Sequence, residues 1–206
     1  MVSQVEIRYA WEYEDLQHRR PAEVARLEAF CNTVDRHTFG GHGDKPAGRR
    51  ELLASPDRLR DWLVAQRLLD DPRAAVGAGD LDRALALRDG LRAWLGARQG
   101  LDHDRAALGR ARELLGRLRL QVGLDREAAA LAPAGGDAVT AALERLAADL
   151  ATAAATGALA RLKICGAPDC QFVYYDRSRS RTSRWCSTEV CGNRMKTRRY
   201  RGRRRG

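Results

Sequence analysis

No stretch of this chain is both long and apolar. Its longest apolar segments are alanine-rich and broken by Arg, Glu or Asp, which excludes a helix able to span a bilayer. The N-terminus, "MVSQVEIRYAWEYEDLQHRR", lacks a basic start followed by an apolar run. No secretory leader is read there, and the chain is expected in the cytoplasm, where thiols stay reduced. Histidine is scarce: His18, His37, His42 and His103 are scattered, and no nucleophile–base pairing is recognisable. "FGGHG" is not followed by GK[ST], so it is not a phosphate-binding loop. The polar cluster of Asn32, Asp35, His37 and His42 reads as a helix end and a solvated loop. Catalysis is not expected.

What is present is charge, unevenly placed. The 206 residues carry 37 Lys or Arg against 27 Asp or Glu, a net charge of +10. From Arg161 onward there are 14 bases and three acids, giving +11. The preceding 160 residues hold the other 23 bases and 24 acids, giving −1. A near-neutral body is thus joined to an element suited to a polyanion, or to a solvated basic tail.

Hydrophobic residues make up 44% of the chain, enough for a real core. The periodicity of that core is helical. "PAEVARLEAFCNTVDRH" places Val24, Leu27, Phe30, Cys31 and Val34 on one stripe, with Cys31 a small buried hydrophobe. "SPDRLRDWLVAQRLLD" has a serine cap, then Leu59, Trp62, Leu63, Gln66 and Leu69 at helical spacing. "DLDRALALRDGLRAWLGARQG" does the same with Leu81, Leu85, Leu91, Trp94 and Leu95, and "DHDRAALGRARELLGRL" follows with Asp102 or Asp104 as its cap. "GGDAVTAALERLAADLATAAATGALARL" is the clearest helix, with Val139, Leu143, Leu146 and Leu150 in a stripe among alanines. A strand is expected in "VEIRYAWEY", a polar loop in "TFGGHGDKPAGRREL", and a short hairpin turning at about Gly123 to Arg126. The fold class expected is mainly α (α+β): a helical N-terminal domain over 1–160 with a small sheet or hairpin, and a small, separate C-terminal module over 161–206.

Four of the five cysteines lie within 27 residues, as Cys165, Cys170, Cys186 and Cys191, in two pairs with four residues inside each. Such loops return a second sulfur to the same metal, and Gly166 and Pro168 favour the turn. Two disulfides would suit an exported protein, and an iron–sulfur cluster would use the same four thiolates. Spacing and compartment favour one structural Zn²⁺ with no coordination position left open. The metal would then supply folding free energy that so short a segment cannot draw from its own core. Phe172, Tyr174 and Tyr175 read as a hairpin strand, Trp185 as a cover over the site, and "GNRMKTRRYRGRRR" as a helix starting at the second pair. That helix would group Arg194, Arg198 and Arg201, with Lys196, Arg199 and Arg203 on adjacent faces, before a flexible "RGRRRG".

"CGAPDC", "YDRSRSRTSRWC" and "CSTEVCGNRMKTRRYRGR" resemble the bacterial CGNR zinc finger, whose tetrapeptide stands here at Cys191–Arg194. Asp176, Ser178, Arg184, Trp185, Lys196 and Arg198 fall where that pattern places them. Upstream, "LEAFCNTVD" and "DRALALRDGLRAWL" resemble the ABATE domain that precedes this finger, although Cys31 stands where the family usually has a small or aliphatic residue. The resemblance implies a treble-clef-like module in a stress-induced transcription regulator that binds DNA.

On this reading Arg177, Arg179, Arg181, Arg184, Arg194, Lys196, Arg198, Arg199 and Arg201 are the nucleic-acid candidates. Most would meet phosphates; Arg194 and Arg198 are placed to reach guanine edges. Tyr174, Tyr175 and Tyr200 leave open an RNA- or protein-binding module. The body would bind a small-molecule effector or form a homodimer, with Asn32, Thr33, Asp35 and Arg36 as a candidate ligand patch; helix-capping is the plainer reading of the same residues.

Overall fold

The computed structural model describes residues 20–38, 50–124 and 129–204. The expected strand in "VEIRYAWEY" and most of the glycine-rich loop lie outside those residues. Among the described residues six α-helices form: α1 (Ala22–Cys31), α2 (Pro56–Ala65), α3 (Ala78–Arg98), α4 (Arg105–Leu115), α5 (Ala138–Ala155) and α6 (Asn193–Arg203). Three antiparallel pairs of strands accompany them: β1 (Val34–Asp35) with β2 (Arg50–Glu51), β3 (Leu120–Leu124) with β4 (Ala129–Pro133), and β5 (Leu162–Ile164) with β6 (Val173–Tyr175).

Helix starts follow capping chemistry. Ser55 Oγ accepts from the Arg58 amide at 3.3 Å, Asp104 from Ala107 at 2.9 Å and Asp137 from Thr140 at 2.8 Å. Asp104, rather than Asp102, is therefore the cap of α4. Val34 leaves the expected stripe of α1, because the helix stops at Cys31 and Val34 pairs with Glu51.

One apolar cluster joins the helices. Leu27 and Phe30 of α1, Leu59 and Leu63 of α2, Leu87 and Leu95 of α3, and Leu143 and Leu146 of α5 are all buried in it. Each such leucine contributes about 1.5–3 kcal/mol relative to an exposed one. On α3, Ala84, Leu87, Leu91 and Leu95 are buried in this cluster, while Leu81, Leu85 and Trp94 are partly covered. Two arginines of α3, Arg88 and Arg92, are also buried, which a hydrophobic stripe does not announce. Helices α3 and α4 touch at Gly90; a Cβ there would stand 2.0 Å from that of Ala111. Helix α1 is fastened to α5 by Arg26, whose Nε and Nη2 donate to Asp149 at 2.6 and 2.8 Å.

The β3–β4 ladder pairs Leu124 with Ala129, so the expected hairpin is present and its turn, 125–128, falls outside the described residues. Its base is held by Glu144, whose carboxylate accepts from the Arg119 and Ala134 amides at 2.9 and 3.1 Å.

The β5–β6 hairpin is two-sided. Leu162, Ile164 and Val173 join the main apolar cluster, whereas Tyr174 joins a second, smaller one with Cys165, Ala167, Cys170 and Cys191. Alternation along paired strands produces this split.

Candidate metal centre and nucleic-acid interface

The β5–β6 hairpin sets the first pair of cysteines. Strand β5 ends at Ile164, and the Cys165 amide donates to Phe172 O at 2.8 Å. The Cys170 and Gln171 amides both turn back to Ala167 O, at 2.9 and 3.1 Å, closing the loop that the spacing called for. In the second pair Cys186 stands just before, and Cys191 within, a π-turn over Thr188–Gly192 that runs directly into α6. Ser187 caps it by accepting from the Val190 amide at 3.1 Å. Trp185 lies between the two loops. A Cβ on Gly166 or on Gly192 would come within 3.3 Å of its ring, so both glycines make room for the indole.

These elements bring the four sulfurs together. The Sγ atoms of Cys165, Cys170, Cys186 and Cys191 all lie within 4.8 Å of one another. Cys170 Sγ is 3.7 Å from Cys186 Sγ, which is 3.6 Å from Cys191 Sγ. Zinc with Zn–S bonds of about 2.3 Å in a tetrahedron spaces its sulfurs about 3.8 Å apart. Both of these separations match that spacing, and the four thiols are a donor set suited to the ion. Arg194 Nη2 donates toward Cys191 Sγ at 3.7 Å, the outer contact expected for a charged thiolate. With all four positions filled by protein the metal is structural, with none left for a substrate.

Around the site, Asp176 organises the arginine-bearing loop. Its carboxylate accepts from the Ser178 and Ser183 amides at 2.9 and 3.0 Å and from Lys163 Nζ at 2.6 Å. Burial pushes this carboxyl up, but the Lys163 and Ser178 hydrogen bonds outweigh it and hold it below the usual carboxylate range. Arg161 donates to the carbonyls of Asp176 and Ser178 at 3.0 and 3.2 Å, closing the loop from the other side.

The nucleic-acid candidates divide into three groups. Arg179, Arg181 and Arg184 are exposed on the loop, Arg184 standing over the Trp185 ring at 5.6 Å. Lys196, Arg198, Arg199 and Arg201 are exposed on α6, none of whose residues is buried. Arg177 sits close enough to Glu28 of the body to act on its charge, and Arg194 is paired with Asp169 as well as with the Cys191 sulfur. Helix α6 continues to Arg203, so Arg201–Arg203, which the sequence reading placed in a flexible ending, are helical.

The candidate ligand patch takes part in a junction within the chain. Asn32 Nδ2 donates to Val173 O at 2.7 Å, and the Val173 amide donates to Asn32 Oδ1 at 2.9 Å. Thr33 is buried and its hydroxyl donates to Phe30 O at 2.8 Å. Asp35 accepts from the His37 amide at 3.1 Å and contacts its Nδ1. Arg36 reaches Gln171 Oε1 at 3.5 Å. Beside them Arg92 donates to Cys31 O at 2.7 Å and to Gln171 O at 2.8 Å. Burial lowers the Arg92 pKa to about 10, which leaves it charged at neutral pH, and pushes the Cys31 thiol up to about 12. Sequence reasoning missed Arg92 because a buried guanidinium bonded to carbonyls has no local signature. It treated Asp169 as bare charge.

No helix among the described residues is long and apolar enough to cross a membrane. No curated protein matches the chain. Two family models do. The CGNR zinc finger covers residues 161–204, and the four clustered sulfurs are its single structural zinc site. The other model covers residues 25–160, well over half the chain, and is described as "Putative stress-induced transcription regulator". Neither family is enzymatic. With the helical body matched by one model and the zinc-bearing end by the other, the chain belongs to the ABATE family and ends in a CGNR zinc finger.

Proposed function

We propose that this chain is a DNA-binding transcription regulator whose zinc-ordered end presents arginines to the duplex. The observation that carries the reading is α6. It is an 11-residue helix with no buried residue, standing on a zinc-fixed π-turn and bearing Lys196, Arg198, Arg199, Arg201 and Arg203. An isolated helix of that length is marginal in water, so the metal-held turn supplies its start. With its side chains an α-helix is about 10–12 Å across, which fits a B-DNA major groove about 12 Å wide. Arg179, Arg181 and Arg184 extend the cationic surface along the neighbouring loop. Most of these contacts would position the protein on phosphates, and a minority on α6 would read base edges.

The test is the salt dependence of binding to a short duplex. Contact with about 5–8 phosphates gives a slope of log affinity against log salt of roughly −5 to −7. A slope near zero removes the proposal. Competition at matched salt between duplex DNA and a structured RNA assigns the polymer, and preference for RNA redirects the reading to an RNA-binding module.

A further inference from the structure

Three alternate residues running from the end of the first zinc loop into β6, Asp169, Gln171 and Val173, are each held by the body. The Thr38 amide donates to Asp169 O at 3.1 Å, Arg92 Nη2 to Gln171 O at 2.8 Å, and Asn32 exchanges two hydrogen bonds with Val173 at 2.7 and 2.9 Å. Gln171 is held at φ +53°, a backbone conformation that a non-glycine residue keeps when its surroundings impose it. The first of these residues then reaches out of the knuckle. Asp169 Oδ2 pairs with Arg194 and, at 3.4 Å, with Arg198. Arg194 and Arg198 are one turn apart on α6, so both contacts fall on one side of the helix. By its 100° per residue geometry, Lys196, Arg199 and Arg203 lie on the opposite side.

We infer that Asp169 is a positioning residue for nucleic-acid binding: it ties the helical body, through Thr38, to the direction in which α6 points. Zinc fixes where the helix starts, and Asp169 fixes its tilt. This reassigns Arg194 from base reading to aiming and moves readout toward Lys196, Arg199 and Arg203. It also gives the body a route to the interface, because any change at residues 32–38 reaches Asp169 through its backbone. The inference rests on the DNA-binding reading above. An acid at the root of a cationic surface opposes DNA binding by simple Coulombic repulsion, so the two accounts predict opposite outcomes on its removal.

The experiment uses the full-length, zinc-loaded chain and its Asp169→Asn variant. Hydrogen exchange of residues 193–203 is compared without DNA, and zinc content is measured alongside. Binding is then measured to a duplex enriched by the wild-type chain from a random pool, and to a shuffled version of it. Positioning predicts about tenfold faster exchange in α6 and at least a tenfold fall in the ratio of the two affinities, with zinc retained. A charge-only role predicts tighter binding to both duplexes and an unchanged ratio. Exchange matching the wild type, or a ratio that stays put, overturns the inference. If the wild-type chain enriches no duplex, the DNA reading fails and the exchange result alone decides the positioning role. Should Asp169→Asn release zinc, Arg194→Met breaks the same pairing from the helix side and is judged by the same two readouts.

Discussion

Leu143 and Cys191 are both fully buried, yet different physics holds their surroundings in place. Leu143 belongs to a cluster drawn from α1, α2, α3 and α5, where apolar area removed from water does the work. Cys191 belongs to a cluster of a few residues around four sulfurs, where the coordinating ion does. Charge divides the same way: the body is close to neutral, and the zinc-bearing end carries the excess. The boundary between them is not clean. Leu162, Ile164 and Val173 sit in the body's core while their neighbour Tyr174 faces the metal. One hairpin therefore answers to both regions, and perturbing either should be felt across it.

The widest separation of the two regions is expected from Cys191→Ser. Structural zinc in small modules carries about 10 kcal/mol or more of apparent free energy, so this variant should lose the metal, the order of α6 and tight DNA binding. Circular dichroism should keep most of the helical signal, while the body's thermal midpoint falls because β5–β6 no longer seals its core. Leu143→Ala acts from the other direction. A cavity at this fully buried site should cost about 2–5 kcal/mol of body stability and leave one zinc per chain, checked by denaturant unfolding and metal analysis. A DNA affinity that fell as steeply as stability would mean that the regions are less distinct than the two clusters indicate.

Asn32→Ala strikes the seam. It leaves the Val173 amide and carbonyl without the partner that both now use, at a cost of about 1–3 kcal/mol. Hydrogen exchange should quicken in β5–β6 before it does in α5. The smallest effect on stability belongs to Arg199→Ala, an exposed change on α6 expected to stay within about 0.5 kcal/mol. It should weaken DNA binding across sequences and flatten the salt slope by about 0.9.

Much of this architecture could be read from residue spacing. Repeats of leucine and alanine at helical intervals located five helices, and the two cysteine pairs located the metal, because both signals are local. The failures lie where partners are distant in sequence. Asn32 drew attention as a polar residue at a helix end, but its partner, Val173, is 141 positions away. Arg88 and Arg92 sit among apolar neighbours on α3; apart from Asp89 beside Arg88, their hydrogen-bond partners, Glu51, Cys31 and Gln171, are distant in sequence. Asp169 could be counted as a charge, but its pairing with Arg194 depends on how the π-turn launches α6.

The most direct test follows zinc and order together. Reduced, purified protein is titrated with a chelator while zinc release and hydrogen exchange are recorded. The account predicts one zinc per chain, with protection in β5–β6 and residues 188–203 lost in step with its release while α5 stays protected. A metal-free chain showing the same protection at its C-terminal end would contradict it.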